Sequence, residues 1–114
     1  MRRFALLLWT AAVALLALTA ATSPAHAQTE IAVTIEKNRF SPEEIKVKAG
    51  APFVLVIANK DKTPEEFEMQ QLRIEKVIPA GKTVRLRMPA LKPGKYPFVG
   101  EYHSETAKAT IIAE

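Results

Sequence analysis

From Ile31 to Ala113 the chain is a succession of short apolar alternations, each cut off by a turn signal. Ile31, Val33 and Ile35 alternate with Ala32 and Thr34. Ile45 and Val47 alternate with Glu44, Lys46 and Lys48, and Val84, Leu86 and Met88 alternate with Arg85 and Arg87. A period of two puts every second side chain on one face of a strand. Phe53 to Asn59 (FVLVIAN) is apolar almost throughout and suits a central strand. Tyr96–Tyr102 and Thr106–Ala113 supply the last two strands. Between these runs lie NRFSPEE, AGAP, NKDKTP and ALKPGK, the last a turn built on Pro93 and Gly94. Short strands at this spacing predict an all-β chain, an antiparallel Greek-key sandwich of about seven or eight strands. One segment reads two ways. Thr63–Leu72 opens like a helix, with Thr63 as N-cap, Pro64 in the first turn and Glu66 completing a capping box. Yet Phe67, Met69, Leu72 and Ile74 make no clean helical stripe, and a strand fits them as well.

The first 27 residues stand apart. Arg2 and Arg3 precede an apolar run from Phe4 to Ala21, and Ser-Pro-Ala-His-Ala follows. A basic start, an apolar middle and small residues before a break mark a cleaved secretory signal, cut after Ala27. The run is also about long enough to cross a bilayer as an anchor; the Ala25-His26-Ala27 site favours cleavage. Residues 28–114 then form one domain with one modest core. Fourteen Lys and Arg oppose twelve Asp and Glu there, a net charge of about +2. No basic cluster is interleaved with aromatics, so nucleic acid is not expected as a partner. The chain has no cysteine, so an exported domain must hold together without disulfides, aided by any ligand that favours the folded state.

The chemistry-bearing side chains are carboxylates. If Glu66–Met69 is extended, Glu66 and Glu68 share one face with Cα atoms roughly 6.6 Å apart, while Phe67 and Met69 face the core. Two adjacent carboxylates repel, and a cation between them relieves the repulsion; a solvated acidic face is the bland alternative. A helix would turn the two about 200° apart and lose the pair. Glu101 and His103 are again two apart and share a side if the backbone is extended. His103 is the one histidine beyond the leader. Glu75, in RIEKVIPAG, is placed to reach the same end, or to pair with Arg73 or Lys76. No G-x-S-x-G element, cysteine nucleophile or phosphate-cradling glycine loop is present.

The stretch YPFVGEYH resembles the copper loop of cupredoxins, which commonly reads Tyr-x-Phe-x-Cys-x-x-His. Tyr96, Phe98 and His103 match; Gly100 stands in the place of the cysteine, and SETAKA replaces the region of the usual methionine. The family's first histidine ligand falls in the loop after the VIAN strand, where this chain has Glu65 or Glu66. The run from Glu66 to Glu114 is similar to the periplasmic cupredoxin-like proteins that accompany bacterial ferrous- or ferric-iron permeases. The shared pattern is Glu-aromatic-Glu, then EKVIPAG, then L-x-PG-x-Y-x-F-x-G-E. Some of those relatives keep two cysteines; Phe40 and Gly100 stand in the matching places here.

The resemblance implies a cupredoxin-like sandwich, secreted across the inner membrane into the periplasm, with Glu66, Glu68, Glu101 and His103 meeting at one end. It also favours strand over helix at Glu66–Met69. The implied ligands are Glu66, Glu68, Glu101, His103 and Glu75, with Met69 relevant if copper binds. Blue copper needs a cysteine thiolate and two histidines, so no type 1 copper is expected. An oxygen-rich donor set suits iron, manganese or oxidised copper. The implied role is an accessory protein rather than an enzyme. It binds iron or copper for delivery to a membrane iron permease and other periplasmic components, or assists ferrous iron oxidation. Two alternatives compete. A metal-free module would dock on a transport or envelope complex through Arg85, Arg87 or Tyr102. A copper chaperone would carry methionine-rich tracts, against only Met69 and Met88 beyond the leader.

Overall fold

The computed structural model describes residues 28–114, together with the isolated positions Ala14 and Ala17. The signal segment and its cleavage site lie outside the described residues. Nine strands follow in order: β1 (Thr29–Glu36), β2 (Arg39–Ser41), β3 (Glu44–Val47), β4 (Phe53–Asn59), β5 (Glu65–Met69), β6 (Ile74–Ile78), β7 (Thr83–Met88), β8 (Gly94–Gly100) and β9 (Lys108–Ala113). Two short 3-10 turns, Gln70–Leu72 and Glu101–His103, follow β5 and β8. The strands form a four-stranded sheet in the order β2-β1-β4-β7 and a five-stranded sheet in the order β3-β9-β8-β5-β6.

The sandwich is therefore all-β as the alternation predicts, with two differences. The additional strands are β2, inside the supposed break NRFSPEE, and β6, inside RIEKVIPAG. Both are border strands, too short or too polar to show a clear period. The pairing is also mixed. Most neighbours are antiparallel, but β1 runs parallel to β4, and β3 parallel to β9. Alternation states which face is buried and carries no information about strand direction.

Each alternating run turns its apolar set inward. Val33, Ile35, Phe40, Leu55 and Ile57 come from the first sheet; Ile45, Phe67, Met69, Ile78, Phe98 and Ile111 come from the second, all at 2% exposure or less. Phe98 stands between two rings, edge-on to Phe40 at 4.9 Å between centroids and tilted against Phe67 at 4.6 Å. Such contacts add to simple burial because ring edges and faces carry opposite partial charge. The continuously apolar β4 lies inside its sheet, between β1 and β7. Val54, on its outer face, is still buried at 3% exposure. Its cross-strand partners are Glu30 and Arg87, and Glu30 is ion-paired to Arg85. Long side chains laid over an apolar surface cover it while their charged ends stay wet.

Two polar residues fix the loops at one end. Asn59, 2% exposed, donates its amide to the carbonyls of Thr63 and Ile78 and accepts from the Asp61 amide. Asp61 in turn accepts the backbone N–H groups of Lys37 and Asn38. Those two residues link β1 to β2 with φ of 54° and 57°, the backbone of a two-residue hairpin turn whose twist matches the strands. The sequence NKDKTP thus folds as a hydrogen-bonded connector.

Replacing Phe98 by alanine removes the central ring of this stack. It should cost about 3–5 kcal/mol of unfolding free energy, read from the denaturant midpoint at unchanged slope.

Candidate functional site

β5 has buried and half-exposed positions in strict alternation: Glu65, Phe67 and Met69 point into the sandwich, and Glu66 and Glu68 point out. The strand reading of this segment holds, and the helical signal is confined to the 3-10 turn Gln70–Leu72 that follows. Glu66 and Glu68 share the outer face as the spacing requires. Antiparallel pairing with β6 sets Glu75 directly opposite Glu68, and Val77 opposite Glu66. Val77 is 45% exposed. On the other flank, β8 pairs Phe67 with Gly100 and Glu68 with Val99, so Glu101 emerges beside the same row. Its carboxyl is a neighbour of that of Glu68. This contact and the Glu68 charge hold Glu101 above the usual carboxylate range, with smaller contributions from desolvation, Glu66 and Glu75. Four of the expected residues, Glu66, Glu68, Glu75 and Glu101, therefore form one acidic rim.

The remaining two do not join it as expected. Met69 is fully buried on the core face, on the opposite side of β5 from the carboxylates, because the strand period separates it from Glu68. The strand drawn from Tyr96 to Tyr102 ends at Gly100, and Glu101–His103 is a 3-10 turn. Residues two apart in such a turn do not share a side. Glu101 goes to the rim while His103 turns inward. Among the described residues, no three His, Asp or Glu side chains stand close enough together to hold an ion as placed.

His103 finds a partner that the spacing argument passed over. Its Nδ1 lies 2.6 Å from Oε2 of Glu65. Glu65 is 1% exposed, and its other oxygen, Oε1, accepts the backbone N–H groups of Glu66 at 3.0 Å and Tyr102 at 2.9 Å. A buried carboxylate survives only when its charge is met by donors, and here three converge. The same alternation that turns Phe67 and Met69 inward also turns Glu65 inward; that was the signal available in the sequence. The loop carrying His103 is closed by its own backbone. Gly100 donates to Ala107 O, and Ala107 donates to His103 O, both at 2.8 Å. Thr106 Oγ1 donates to Asn38 O at 2.6 Å, tying the loop to the β1–β2 turn.

Gly100 explains how the carboxylate fits. Its backbone is ordinary, with φ −89°, so no left-handed conformation demands glycine. Space does. A Cβ there would lie 2.5 Å from Glu65 Cδ and 2.7 Å from Ala107 Cβ. The volume of a side chain at position 100 is occupied by the Glu65 carboxylate. Tyr102, 49% exposed, stands at the mouth. Partial desolvation, then the charge of Glu66 and a hydrogen bond with it, then the charge of Glu65, raise its phenol above the ordinary value.

Two outcomes follow. Gly100→Ala overfills a site pinned by three hydrogen bonds and should destabilise by about 1–3 kcal/mol or more, measured by chemical denaturation. The Glu101 shift fixes the sign of a pH effect. A carboxyl whose folded pKa is raised binds more protons folded than unfolded. Its destabilising effect is absent below the unfolded pKa and grows as pH rises to the folded one. The Glu101 contribution should therefore lower the melting temperature as pH rises through the carboxylate range, against the opposite contribution of Glu30, whose pKa Arg85 lowers; Glu101→Gln should remove it, read as the difference between the two profiles.

The family model for the cupredoxin-like domain matches residues 7–113. An uncharacterized protein of Rickettsia prowazekii (strain Madrid E) is 36% identical over 83 residues, which cover 73% of this chain and 66% of that protein. The chain thus spans just under two thirds of that relative's length. Among solved structures, auracyanin A, a "blue" copper protein from Chloroflexus aurantiacus, superposes with a TM-score of 0.68 at 13% identity, over 77% of this chain and 100% of the other. The metal-binding domain of the Streptococcus pneumoniae D39 Cu(I)-exporting P-type ATPase CopA, with Cu(I), gives 0.66 at 17% identity, over 81% and 91%. A reduced amicyanin mutant gives 0.62 at 17% identity, over 77% and 85%. At these identities the likeness concerns the fold; the family model, spanning nearly the whole sequence, shows that the chain belongs to the cupredoxin-like domain family.

Proposed function

We propose that this domain is a periplasmic cation-binding accessory protein of an iron-uptake system, and that it captures its ion on the rim of Glu66, Glu68, Glu75 and Glu101. The observation that carries the reading is the clustering itself: Glu66 and Glu68 share the outer face of β5, Glu75 stands opposite Glu68 on β6, and the neighbouring Glu68 holds Glu101 above the usual carboxylate range. A divalent or trivalent cation is the natural partner of such a group, since it cancels the repulsion. Binding draws the half-exposed Glu66 and Glu68 together with the exposed Glu75 and Glu101, which surface side chains do at small cost.

A thiolate copper centre does not fit this chain. There is no cysteine, and the Glu65 carboxylate stands within 2.5 Å of where a Cβ at position 100 would be. Auracyanin A is a "blue" copper protein and the CopA domain holds Cu(I), but their identity to this chain is too low to transfer the ligands. Oxygen donors suit iron, and would also take divalent copper more tightly in vitro by the general affinity order. Delivery to a membrane permease is the role that follows from the resemblance of the Glu66–Glu114 run. Assistance to ferrous iron oxidation would need a second redox ion as electron acceptor.

Docking without metal is the second reading. It draws on the exposed Val77 and Tyr102, but its basic stripe is half neutralised, because Arg85 is paired with Glu30.

The test is the double variant Glu66→Gln, Glu68→Gln. The wild type should melt higher with ferrous, ferric or cupric ion present, as any ligand of the folded state requires. The double variant should keep its fold and lose that shift. A shift of equal size in the variant would exclude the rim as the site.

A further inference from the structure

The residue that opens the sandwich is reactive in a way that neither the rim nor the core uses. Gln28 precedes β1 by one position, is exposed and stands outside any strand. The ladder between β1 and β4 begins one residue later, with Thr29 opposite Phe53, so among the described residues Gln28 has no cross-strand partner. Its side chain is free to fold back on its own backbone nitrogen. In the uncut chain that nitrogen belongs to a peptide bond and is inert. A cut after Ala27, where the Ala25-His26-Ala27 site places it, turns it into a primary α-amine. We propose that Gln28 is a modification site: released as the N-terminal residue, it closes to pyroglutamate and caps the exported domain.

The chemistry needs no cofactor or co-reactant. The lone pair of the α-nitrogen attacks Cδ of the same residue's carboxamide. The Cδ–N bond of the carboxamide then breaks, its nitrogen leaves as ammonia with one proton taken from the amine, and a five-membered lactam remains. Amine and carbonyl share one residue, so the step is intramolecular and has a high effective concentration of nucleophile. The reactive form is the free base. An α-amine ordinarily titrates at about 7.7–8.0, so on the order of a tenth of it is unprotonated at neutral pH. The position of the cut decides the outcome. A cut one residue earlier exposes Ala27 and one later exposes Thr29, and neither side chain can close a ring.

The fold gives the cap a consequence. β1 lies inside its sheet, between β2 and β4, and Gln28 alone separates its first residue from the new terminus. An exopeptidase that starts from a free amine would reach Thr29, Glu30 and Ile31 in turn. Glu30 is the ion-pair partner of Arg85, and Ile31 packs against the hydrophobic core. A lactam offers such an enzyme no primary amine, so trimming stops before the strand. The closure also removes the positive charge of the terminus.

The cap rests on a leader cut after Ala27 and is independent of the rim. The full chain is expressed with its leader, recovered from the exported fraction and incubated at neutral pH, and its intact mass is measured. The expected mass is that of residues 28–114 less one ammonia. N-terminal sequencing should be blocked until pyroglutamyl peptidase removes residue 28 and exposes Thr29. The uncyclised mass of residues 28–114, unchanged by incubation, overturns the cap while the leader reading stands. A chain that is uncut, or that begins at any other residue, overturns the leader reading and the cap together. Gln28→Ala keeps the Ala-x-Ala site and tests the consequence. Gln28 is exposed and outside the sheet, so before digestion the variant should melt with the parent. Under a broad-specificity aminopeptidase the variant should shorten into β1 and melt lower, while the parent keeps its mass. Equal behaviour of the two overturns the protective role.

Discussion

A carboxylate in the interior of a small β-sandwich is the constraint around which this end of the molecule is arranged. Glu65 sits at an inward position of β5 with 1% exposure. Leaving such a charge unmet would cost several kcal/mol on the order of a buried ion's desolvation. The surroundings meet it completely, with two backbone N–H groups and one imidazole. Position 100 is glycine because that carboxylate uses the room, and the turn after β8 takes its course because the Tyr102 N–H must reach Oε1. The loop path, the missing side chain and the ring orientation are one solution to one electrostatic problem.

The remainder of the domain supplies a rigid frame for it. Aromatic contacts among Phe40, Phe67 and Phe98 join the two sheets near the same end. Asn59 and Asp61 hold the neighbouring connectors with hydrogen bonds to backbone. Above these fixed points stand the carboxylates of the outer face, carried by β5, β6 and the turn after β8. A stiff interior beneath a compliant charged surface separates the stability of the fold from the properties of the rim.

Much of this is legible in the residues, and the gaps have physical causes. The strands carried by Ile31–Ile35, Ile45–Val47, Phe53–Asn59 and Val84–Met88 are readable because one face of each is buried. β2 and β6 are not, since border strands owe their existence to a partner elsewhere in the chain. The rim of Glu66, Glu68 and Glu75 follows from extended spacing and cross-strand pairing. Glu101 reached it by a different route than alternation, because a 3-10 turn begins there. The resemblance put Glu65 or Glu66 at the family's first-ligand place, but the pattern did not single out Glu65: its position in the period is inward, while a glutamate is read as solvent-facing unless its donors are known. Those donors, the Tyr102 amide and the His103 ring, lie 37 and 38 residues away, and only the closed sheet reveals them.

The sheet borders have a further consequence. β2, β3, β6 and β7 are the outermost strands, and each bears ionic side chains: Arg39; Glu44 and Lys46; Glu75 and Lys76; Arg85 and Arg87. Unpaired strand backbones recruit strands from other molecules unless charge or twist prevents it. The acidic rim therefore has a second effect at β6, where it repels like copies. On the function proposed above, a cation that neutralises the rim would also remove part of that protection, which sets ion capture against resistance to self-association at this border.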